Sequence, residues 1–264
     1  MPYTRIAPTP SGYLHRGNAH NFLLIQRLAQ EADGDILLRI DDIDRGRYRR
    51  EFVQDIFDSL EWLGIEYQYG PRSVEEFETN WSQHLRLDRY YKMLDALREK
   101  NLVYPCKYSR NQIQQMTSGG IYRGENRDSN LSLDDEGVAW RIDVPKGHQI
   151  NIGTKESTHH IDVYQSMGHF VVRKKDGLPA YQIASLSDDI EYGIELIVRG
   201  VDLMPSTAAQ LYLADCLDTD FRRWITFHHH PLVLSASGEK LSKSAGSESL
   251  LAQRQAGLSP NTLF

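Results

Sequence analysis

Two stretches near opposite ends of the chain carry residue types that bind phosphate. The first, RIAPTPSGYLHRGNAHNFLL at residues 5–24, places His15 and Gly17 just before apolar residues at helical spacing. Glycine lets backbone N–H groups approach a phosphate closely, a helix N-terminus attracts anions, and histidine can donate a hydrogen bond to phosphate oxygens. The second stretch, KLSKS at residues 240–244, lies in a loop rich in glycine and serine. Two lysines three residues apart can contact one polyphosphate and stabilise charge that develops in a transition state.

Taken singly, each stretch also fits a purely structural role, as a tight turn or a solvated loop. The elements around the first stretch favour the phosphate hypothesis. Residues 3–7 predict a strand, and a turn rich in glycine and proline leads into a helix from about Asn18. A second strand is predicted over 36–40, and apolar residues over 52–63 then recur at helical spacing until Gly64. Strand, helix, strand, helix is typical of an α/β fold with a parallel sheet.

The sequence pattern changes between residues 100 and 178. Polar turns there separate short alternating runs such as VAWRIDV and HFVVRK, which are typical of antiparallel strands. The βα pattern returns after residue 178. We therefore predict a first domain made of residues 1–99 and 179–264. An α+β domain, residues 100–178, is inserted into it.

Composition limits the class of protein. The formal net charge of −6 disfavours a protein covered in positive charge for general nucleic-acid binding, although basic clusters occur at 45–50 and 173–175. The two cysteines, Cys106 and Cys216, are too few for a disulfide framework. The chain shows no signal segment and no apolar run long enough to span a membrane. We expect a cytoplasmic protein, with a monomer as the default.

In their order and spacing, the two phosphate-binding stretches resemble the paired signatures of class I aminoacyl-tRNA synthetases, the histidine-glycine motif and the lysine-serine motif. The segments LLRIDDIDR, PAYQIASLSDD and LIVRGVDL follow the pattern of the glutamyl branch in sequence order. The resemblance covers nearly the whole chain. It implies a Rossmann-like catalytic domain with an inserted acceptor-type domain, a ligase that uses ATP with Mg²⁺, and an aminoacyl-adenylate as the first product.

The length of the chain narrows the resemblance to one subfamily. The chain ends about twenty residues after the lysine-serine motif, where glutamyl-tRNA synthetases continue into an anticodon-binding region. It is therefore similar to the truncated members of the branch, the glutamyl-queuosine tRNA(Asp) synthetases. That similarity implies no anticodon-binding domain and activation of L-glutamate without tRNA. It also implies transfer of glutamate to queuosine at the wobble position of tRNA(Asp).

The resemblance assigns the ATP site residue by residue. It places ATP over His15 and Gly17, with the helix that begins near Asn18 directed at the phosphates. Lys240 and Lys243 align with the motif lysines, and Lys243 is expected to make the stronger contact with departing pyrophosphate. His15, Lys240 and Lys243 are the predicted catalytic residues.

The resemblance also assigns the glutamate site. Arg5 and Arg199 match the ligands of the side-chain carboxylate, for which an arginine fork is better suited than lysine. Thr9 and Tyr181 are expected to hydrogen-bond the substrate, and Asp41 to hold its α-ammonium group.

Asp41 departs from the family pattern. Glutamyl enzymes usually carry glutamate here and glutaminyl enzymes aspartate, and loss of one methylene draws the carboxylate back by about 1.3 Å. Glutamine therefore stays open as the substrate. Arg199 favours glutamate, because a guanidinium prefers a charged carboxylate to a neutral amide.

The inserted domain departs from the family at its zinc motif. Many members bind zinc through a Cys-x-Cys pair, a tyrosine and a later cysteine, whereas this chain has Cys106 with Tyr108, and Tyr122 followed by Asn126. These residues are too few for a tetrahedral site, so we predict no zinc. The run of histidines at 228–230 is expected to be structural, because consecutive residues of a strand point to alternate faces.

Two alternatives to the main hypothesis stay open. The chain could activate glutamate and pass it to an acceptor other than tRNA, such as a small molecule or a carrier protein. It could also be a catalytically inactive paralogue that binds tRNA. Steep salt dependence of binding would distinguish a tRNA ligand from a small acceptor.

Overall fold

The computed structural model of the chain describes residues 3–153, 158–232 and 249–263. The strands are β1 (Thr4–Ile6), β2 (Ile36–Leu38), β3 (Val103–Cys106), β4 (Ala139–Ile142), β5 (Gln149–Gly153), β6 (Thr158–Asp162), β7 (Val171–Arg173), β8 (Leu196–Gly200) and β9 (Thr226–His230). The α-helices are α1 (Arg16–Glu31), α2 (Arg50–Trp62), α3 (Val74–Glu76), α4 (Leu87–Glu99), α5 (Arg110–Met116), α6 (Val163–Ser166), α7 (Tyr181–Glu191), α8 (Met204–Cys216), α9 (Phe221–Trp224) and α10 (Leu250–Gln255).

The chain divides into two compact units. The first unit is made of Met1–Leu85, Tyr192–Asp202 and Thr226–Phe264, and the second of Arg86–Glu191 and Leu203–Ile225. The predicted insertion, 100–178, lies wholly within the second unit. That unit also takes in α4, α7 and α8, which the sequence analysis assigned to the first domain.

The first unit contains a parallel sheet with the strand order β2-β1-β8-β9. Thr4 pairs with Ile36 on one side and with Leu196 on the other, and Leu196 pairs in turn with Thr226. All three residues of β1 and of β2 are buried. This sheet, with helices between its strands, confirms the predicted α/β fold with a parallel sheet.

The connections of β1 fix where a ligand can bind. From β1 the chain passes through α1 to β2 on one side of the sheet, while β8 and β9 lie on the other side. The strand order therefore reverses between β1 and β8. In parallel sheets the crevice beyond the carboxyl ends of the strands at such a reversal is the usual ligand site.

Helices α1 and α2 follow the predicted spacing. In α1 the buried residues are Ala19, Phe22, Ile25 and Ala29, which belong to the core of the first unit. Helix α1 begins two residues earlier than the predicted Asn18, because His15 caps it. Helix α2 ends at Trp62, and Gly64 follows with a φ of +65°, a left-handed conformation that glycine adopts without steric cost.

The second unit contains antiparallel strands, as predicted for the insertion. Its three-stranded sheet has the order β3-β4-β7, and β5 pairs with β6 in a separate two-stranded sheet. The alternation of exposed and buried residues along β5 shows that one face of this pair is packed. Among the described residues, no helix is both long and apolar enough to cross a membrane.

Candidate functional site

The turn between β1 and α1 contains the histidine-glycine motif and is organised by His15. This residue has an extended backbone and caps α1: its Nδ1 accepts a hydrogen bond from the N–H of Gly17 at 3.1 Å. The side chain of Asn18 completes the cap, because its Oδ1 accepts the N–H of His15 at 3.1 Å. The motif residues therefore build the start of the helix themselves.

This capping determines which N–H groups of the turn can donate a hydrogen bond to a phosphate. The N–H of Gly17 donates to the imidazole, and the N–H of Asn18 donates to the His15 carbonyl at 2.8 Å. Because Nδ1 is an acceptor, a neutral His15 carries its proton on Nε2 and is a donor there. The side-chain oxygen of Asn18 caps the helix, and the part of Asn18 in ATP binding stays a prediction.

The turn fits a phosphate group on two further observations. A Cβ atom added to Gly17 would lie 3.0 Å from Cε1 of His15, so glycine is what allows the imidazole to fold over the helix start. Helix α1 has 16 residues and no acidic residue in its first turn, so its own first turn carries no charge that opposes the positive end of its dipole.

A buried carboxylate anchors the same turn from behind. The N–H of Leu14 donates to Oδ2 of Asp55 on α2 at 3.0 Å. The other oxygen of Asp55 pairs with Arg254 on α10 at 2.7 Å. Burial raises the pKa of Asp55, while the Leu14 hydrogen bond and the Arg254 charge act in the opposite direction. Sequence analysis missed both residues, although an acid on the apolar face of α2 is a signal.

The chain that follows residue 248 returns to the turn. Ser249 forms an isolated antiparallel bridge with His15, and the N–H of Leu250 donates to the Leu14 carbonyl at 2.8 Å. Lys240 and Lys243 precede this segment and lie outside the described residues. Their role as phosphate ligands stays a prediction.

Two buried arginines lie on the neighbouring strands β1 and β8. Arg5 is 3% exposed and Arg199 is 4% exposed, and both strands run toward the edge of the sheet that carries the β1–α1 turn. Thr9 lies in that turn and is exposed. The first unit thus places three of the five predicted glutamate ligands along one edge of the sheet.

Asp41 lies at the same edge in a buried ion pair that sequence analysis missed. Its two carboxylate oxygens accept from Nε and Nη2 of Arg39 at 2.6 and 3.1 Å. The backbone N–H of Asp41 donates to the carbonyl of Pro8 at 2.9 Å, which ties it to the β1–α1 turn. A carboxylate offers about four acceptor positions, so the Arg39 fork orients Asp41 without using all of them.

The fifth predicted glutamate ligand belongs to the second unit. Tyr181 is the first residue of α7 and is 38% exposed. Its part in a glutamate site stays a prediction.

The residues at the degenerate zinc motif have other partners. Cys106 is buried beside Tyr122, whose hydroxyl donates to the Glu125 carbonyl at 2.7 Å. The hydroxyl of Tyr108 donates to the carbonyl of Asn126 at 2.9 Å. Across the described ranges, no group of three or more His, Cys, Asp or Glu side chains is placed to hold a metal ion. The arrangement does not fit zinc, and its absence stays a prediction.

The histidine run at the end of β9 has hydrogen-bond partners at its last residue. His230 is 6% exposed, and its Nε2 lies 3.1 Å from Oδ1 of Asn21 on α1. Its ring also contacts His20, whose pKa is lowered first by burial and then by the charge of His230. His230 therefore joins β9 to α1, and the structural role expected of the whole run stays a prediction.

Comparison with known proteins identifies relatives over most of the chain. Residues 3–257 match the family model described as tRNA synthetases class I (E and Q), catalytic domain. The glutamyl-Q tRNA(Asp) synthetase of Nitratidesulfovibrio vulgaris is 34% identical over 269 residues, covering 96% of this chain and 81% of that protein. Glutamate–tRNA ligase 1 of Methylococcus capsulatus is 32% identical over 274 residues, covering 98% of this chain and 57% of that protein.

A solved structure shows the same architecture. The glutamate tRNA ligase from Elizabethkingia meningosepticum, crystallised in complex with its amino acid, superposes with a TM-score of 0.74 at 25% identity. The match covers 92% of this chain and 52% of that one. The chain therefore spans about half the length of the glutamate–tRNA ligases that it matches, and a larger share of the glutamyl-Q relative.

Proposed function

The chain belongs to the class I tRNA synthetase family of the glutamate and glutamine enzymes, and we propose that it activates L-glutamate with ATP in the absence of tRNA. The observation that carries this proposal is the arrangement at the carboxyl edge of the parallel sheet. There the capped turn of His15 and Gly17 adjoins strands that hold two buried arginines. The turn suits the phosphates of ATP and the two arginines suit the side-chain carboxylate of glutamate, so this edge can hold both substrates of adenylation.

The proposed reaction needs no protein nucleophile. An α-carboxylate oxygen of glutamate attacks the α-phosphorus of ATP, and the bond from that phosphorus to the oxygen bridging to the β-phosphate breaks. Glutamyl-adenylate and pyrophosphate are the products. The protein therefore contributes position and electrostatic stabilisation.

The phosphates are assigned to the β1–α1 turn and the lysine-serine motif. Nε2 of His15 donates to a phosphate oxygen, and the N-terminus of α1 adds the positive end of its dipole. Lys240 and Lys243 contact the departing pyrophosphate, Lys243 more strongly. Mg²⁺ that arrives with the nucleotide neutralises phosphate charge.

Both charged ends of glutamate are assigned to residues of the site. Arg5 and Arg199 bind the side-chain carboxylate, and Thr9 and Tyr181 add hydrogen bonds. Asp41, oriented by Arg39, binds the α-ammonium group. Two buried guanidinium groups favour glutamate over glutamine, because a buried charge is stabilised best by an opposite charge.

We further propose queuosine in tRNA(Asp) as the acceptor of the glutamyl group. This step is supported by the name of the N. vulgaris relative and by the chain's coverage of 81% of that protein. A tRNA acceptor also supports the expected cytoplasmic location. We propose that the protein acts as a monomer.

Glutamate-dependent ATP–pyrophosphate exchange, measured without tRNA, tests the activation step. We expect exchange with glutamate, none with glutamine or aspartate, and strong loss in His15→Ala and Lys243→Ala. The matched control is His160→Ala, because His160 is exposed on β6 in the second unit. Exchange with glutamine instead would show that Asp41 outweighs Arg199. No exchange at all would favour an inactive tRNA-binding paralogue or an enzyme that activates glutamate only with its acceptor bound.

Transfer of labelled glutamate to purified tRNA tests the acceptor. We expect labelling of tRNA(Asp) that carries queuosine and none of tRNA(Asp) that lacks it. Exchange without any transfer to tRNA would move the proposal to a small molecule or carrier protein.

A further inference from the structure

The second unit contains a cavity that the proposed reaction does not use. It has a volume of about 330 Å³ and lies among α5, β4 and β7. The residues that line it are Arg110, Ile113, Gln114, Gly120, Tyr122, Arg141, Met167, Phe170 and Val171. Two of them are arginines and none is acidic, so the lining carries two positive charges and no compensating carboxylate. We call it the Arg110–Arg141 cavity.

Arg141 is the unusual member of this lining. It is 8% exposed, and its guanidinium lies over the ring of Tyr122, 4.8 Å from the ring centroid. Its Nη1 donates to the carbonyl of His169 at 2.6 Å. Within the described residues, its buried Nε has no hydrogen-bond partner, and its guanidinium forms no ion pair with a carboxylate.

A buried guanidinium without a counter-charge is costly, because it has given up water without gaining an anion. A stacked aromatic ring and one carbonyl offset only part of that cost. Arg110, the first residue of α5, adds a second cation at the mouth of the same cavity and is itself exposed. The charge and the unused donor both indicate an anionic ligand.

We propose that the Arg110–Arg141 cavity binds a phosphate monoester. Forked guanidinium donors match phosphate oxygens, and two arginines balance a dianion better than they balance a single carboxylate. The volume is at the lower end of small-molecule sites, which suits a phosphorylated sugar or one nucleotide. Ile113, Phe170 and Val171 supply an apolar wall for the organic part of the ligand. This site is separate from the proposed adenylation and does not depend on it.

Such a monoester could be free in solution or could be the 5′ end of an RNA. The test therefore uses three probes on the full chain: ribose 5-phosphate, a short 5′-phosphorylated oligoribonucleotide, and the same oligoribonucleotide with a 5′-hydroxyl. Binding is followed by NMR at the Nε–H resonance of Arg141, which we expect to shift saturably with a phosphorylated probe.

The variants leave Arg141 in place, because its removal could unfold the sheet. Gln114→Glu keeps the side-chain shape and puts a negative charge into the lining, and we expect at least tenfold weaker binding of ribose 5-phosphate. The matched control is Gln115→Glu, the same change on the next exposed residue of α5, which does not line the cavity. We expect less than a twofold effect there, and about a fivefold loss in Arg110→Gln.

Each outcome bears on the proposal. Binding of both phosphorylated probes supports it, and binding of the phosphorylated RNA alone supports it with an RNA end as the source. Equal binding of the 5′-hydroxyl RNA, equal weakening by Gln114→Glu and Gln115→Glu, or no shift of the Arg141 resonance overturns it. His15→Ala, which removes the proposed ATP contact, is expected to bind ribose 5-phosphate unchanged, so the two proposals can fail separately.

Discussion

Each unit contains a buried arginine–aspartate pair, and the two pairs are built in different ways. In the first unit, Arg39 and Asp41 are separated by one residue, and their side chains are 2% and 3% exposed. In the second, Arg86 and Asp188 are 102 residues apart, with exposures of 9% and 1%. The hydroxyl of Tyr90 also donates to Asp188, at 2.8 Å.

The difference in sequence separation shows that the two buried arginine–aspartate pairs have different roles. Extended backbone places residues i and i+2 on one face, so Arg39 can hold Asp41 without help from a distant segment. That pair orients a carboxylate at the proposed substrate edge. The pair of Arg86 and Asp188 instead joins the start of α4 to α7, and burial together with the Asp188 charge raises the pKa of Tyr90. We expect the first pair to govern binding and the second to govern folding.

The largest effect is expected for Asp188→Ala. It leaves Arg86 buried without its carboxylate, a change that costs about 3–5 kcal/mol of unfolding free energy. Urea denaturation measures the loss. The control is Asp220→Ala, which removes an exposed pair with Arg223 and should cost less than about 1 kcal/mol. Similar losses in the two variants would show that the buried pair has no special role.

Asp41→Asn tests the pair of Arg39 and Asp41. Asparagine keeps an oxygen for Arg39 but loses the charge that we propose binds the α-ammonium group, so KM for glutamate should rise about tenfold or more, roughly 1.4 kcal/mol. The unfolding free energy should fall by less than in Asp188→Ala. The measurement is pyrophosphate exchange at varied glutamate. An unchanged KM with a large loss of stability would make Asp41 structural, like Asp188.

Gly17→Ala probes the turn that Asp41 adjoins. The added Cβ would lie 3.0 Å from the His15 imidazole and displace it, so kcat/KM for ATP should fall about tenfold. Alanine favours a helix over glycine and offsets the weakened His15 cap, so the unfolding free energy should change by less than about 1 kcal/mol. Gly153→Ala is the control, because no atom of the more distant described residues lies within 4 Å of its new Cβ. Equal kinetics in both variants would contradict the proposed role of the His15 orientation.

The smallest expected effect is a pH dependence at Asp55. Because burial raises its pKa in the folded state, the folded chain binds a proton here more readily than the unfolded chain does. This contribution to stability is present below the unfolded pKa and is lost as pH rises through the folded pKa. The unfolding free energy of the wild type, minus that of Asp55→Asn, should therefore decrease as pH rises from about 4 to 7. A constant or rising difference would show that Arg254 outweighs burial.

Much of the first unit was predictable from periodicity. The strands that became β1 and β2, the helices α1 and α2, and the stop at Gly64 all follow from local spacing and turn residues. The division of the chain into two units was harder to predict from the sequence. Helices α4, α7 and α8 belong to the second unit, and no local feature of their sequences states which sheet they pack with, because amphipathic spacing identifies a buried face but not its partner.

In the candidate site, too, the sequence identifies residues but not their distant partners. The motif residues His15, Gly17 and Arg199 could be named from the sequence, whereas the partners of the Asp55 carboxylate behind the turn could not. Its partners Leu14 and Arg254 are 41 and 199 residues away.

The sequence by itself determined the order of the parallel βα elements, the two motifs proposed to bind phosphate and the family to which they belong, because these depend on residue type and short spacing. Only the tertiary structure decided which charges are compensated. It paired Arg39 with Asp41 and Arg86 with Asp188, and left Arg141 buried beside an aromatic ring. The energy of a buried charge depends on what the fold brings within a few ångströms of it, and distance along the chain does not encode that.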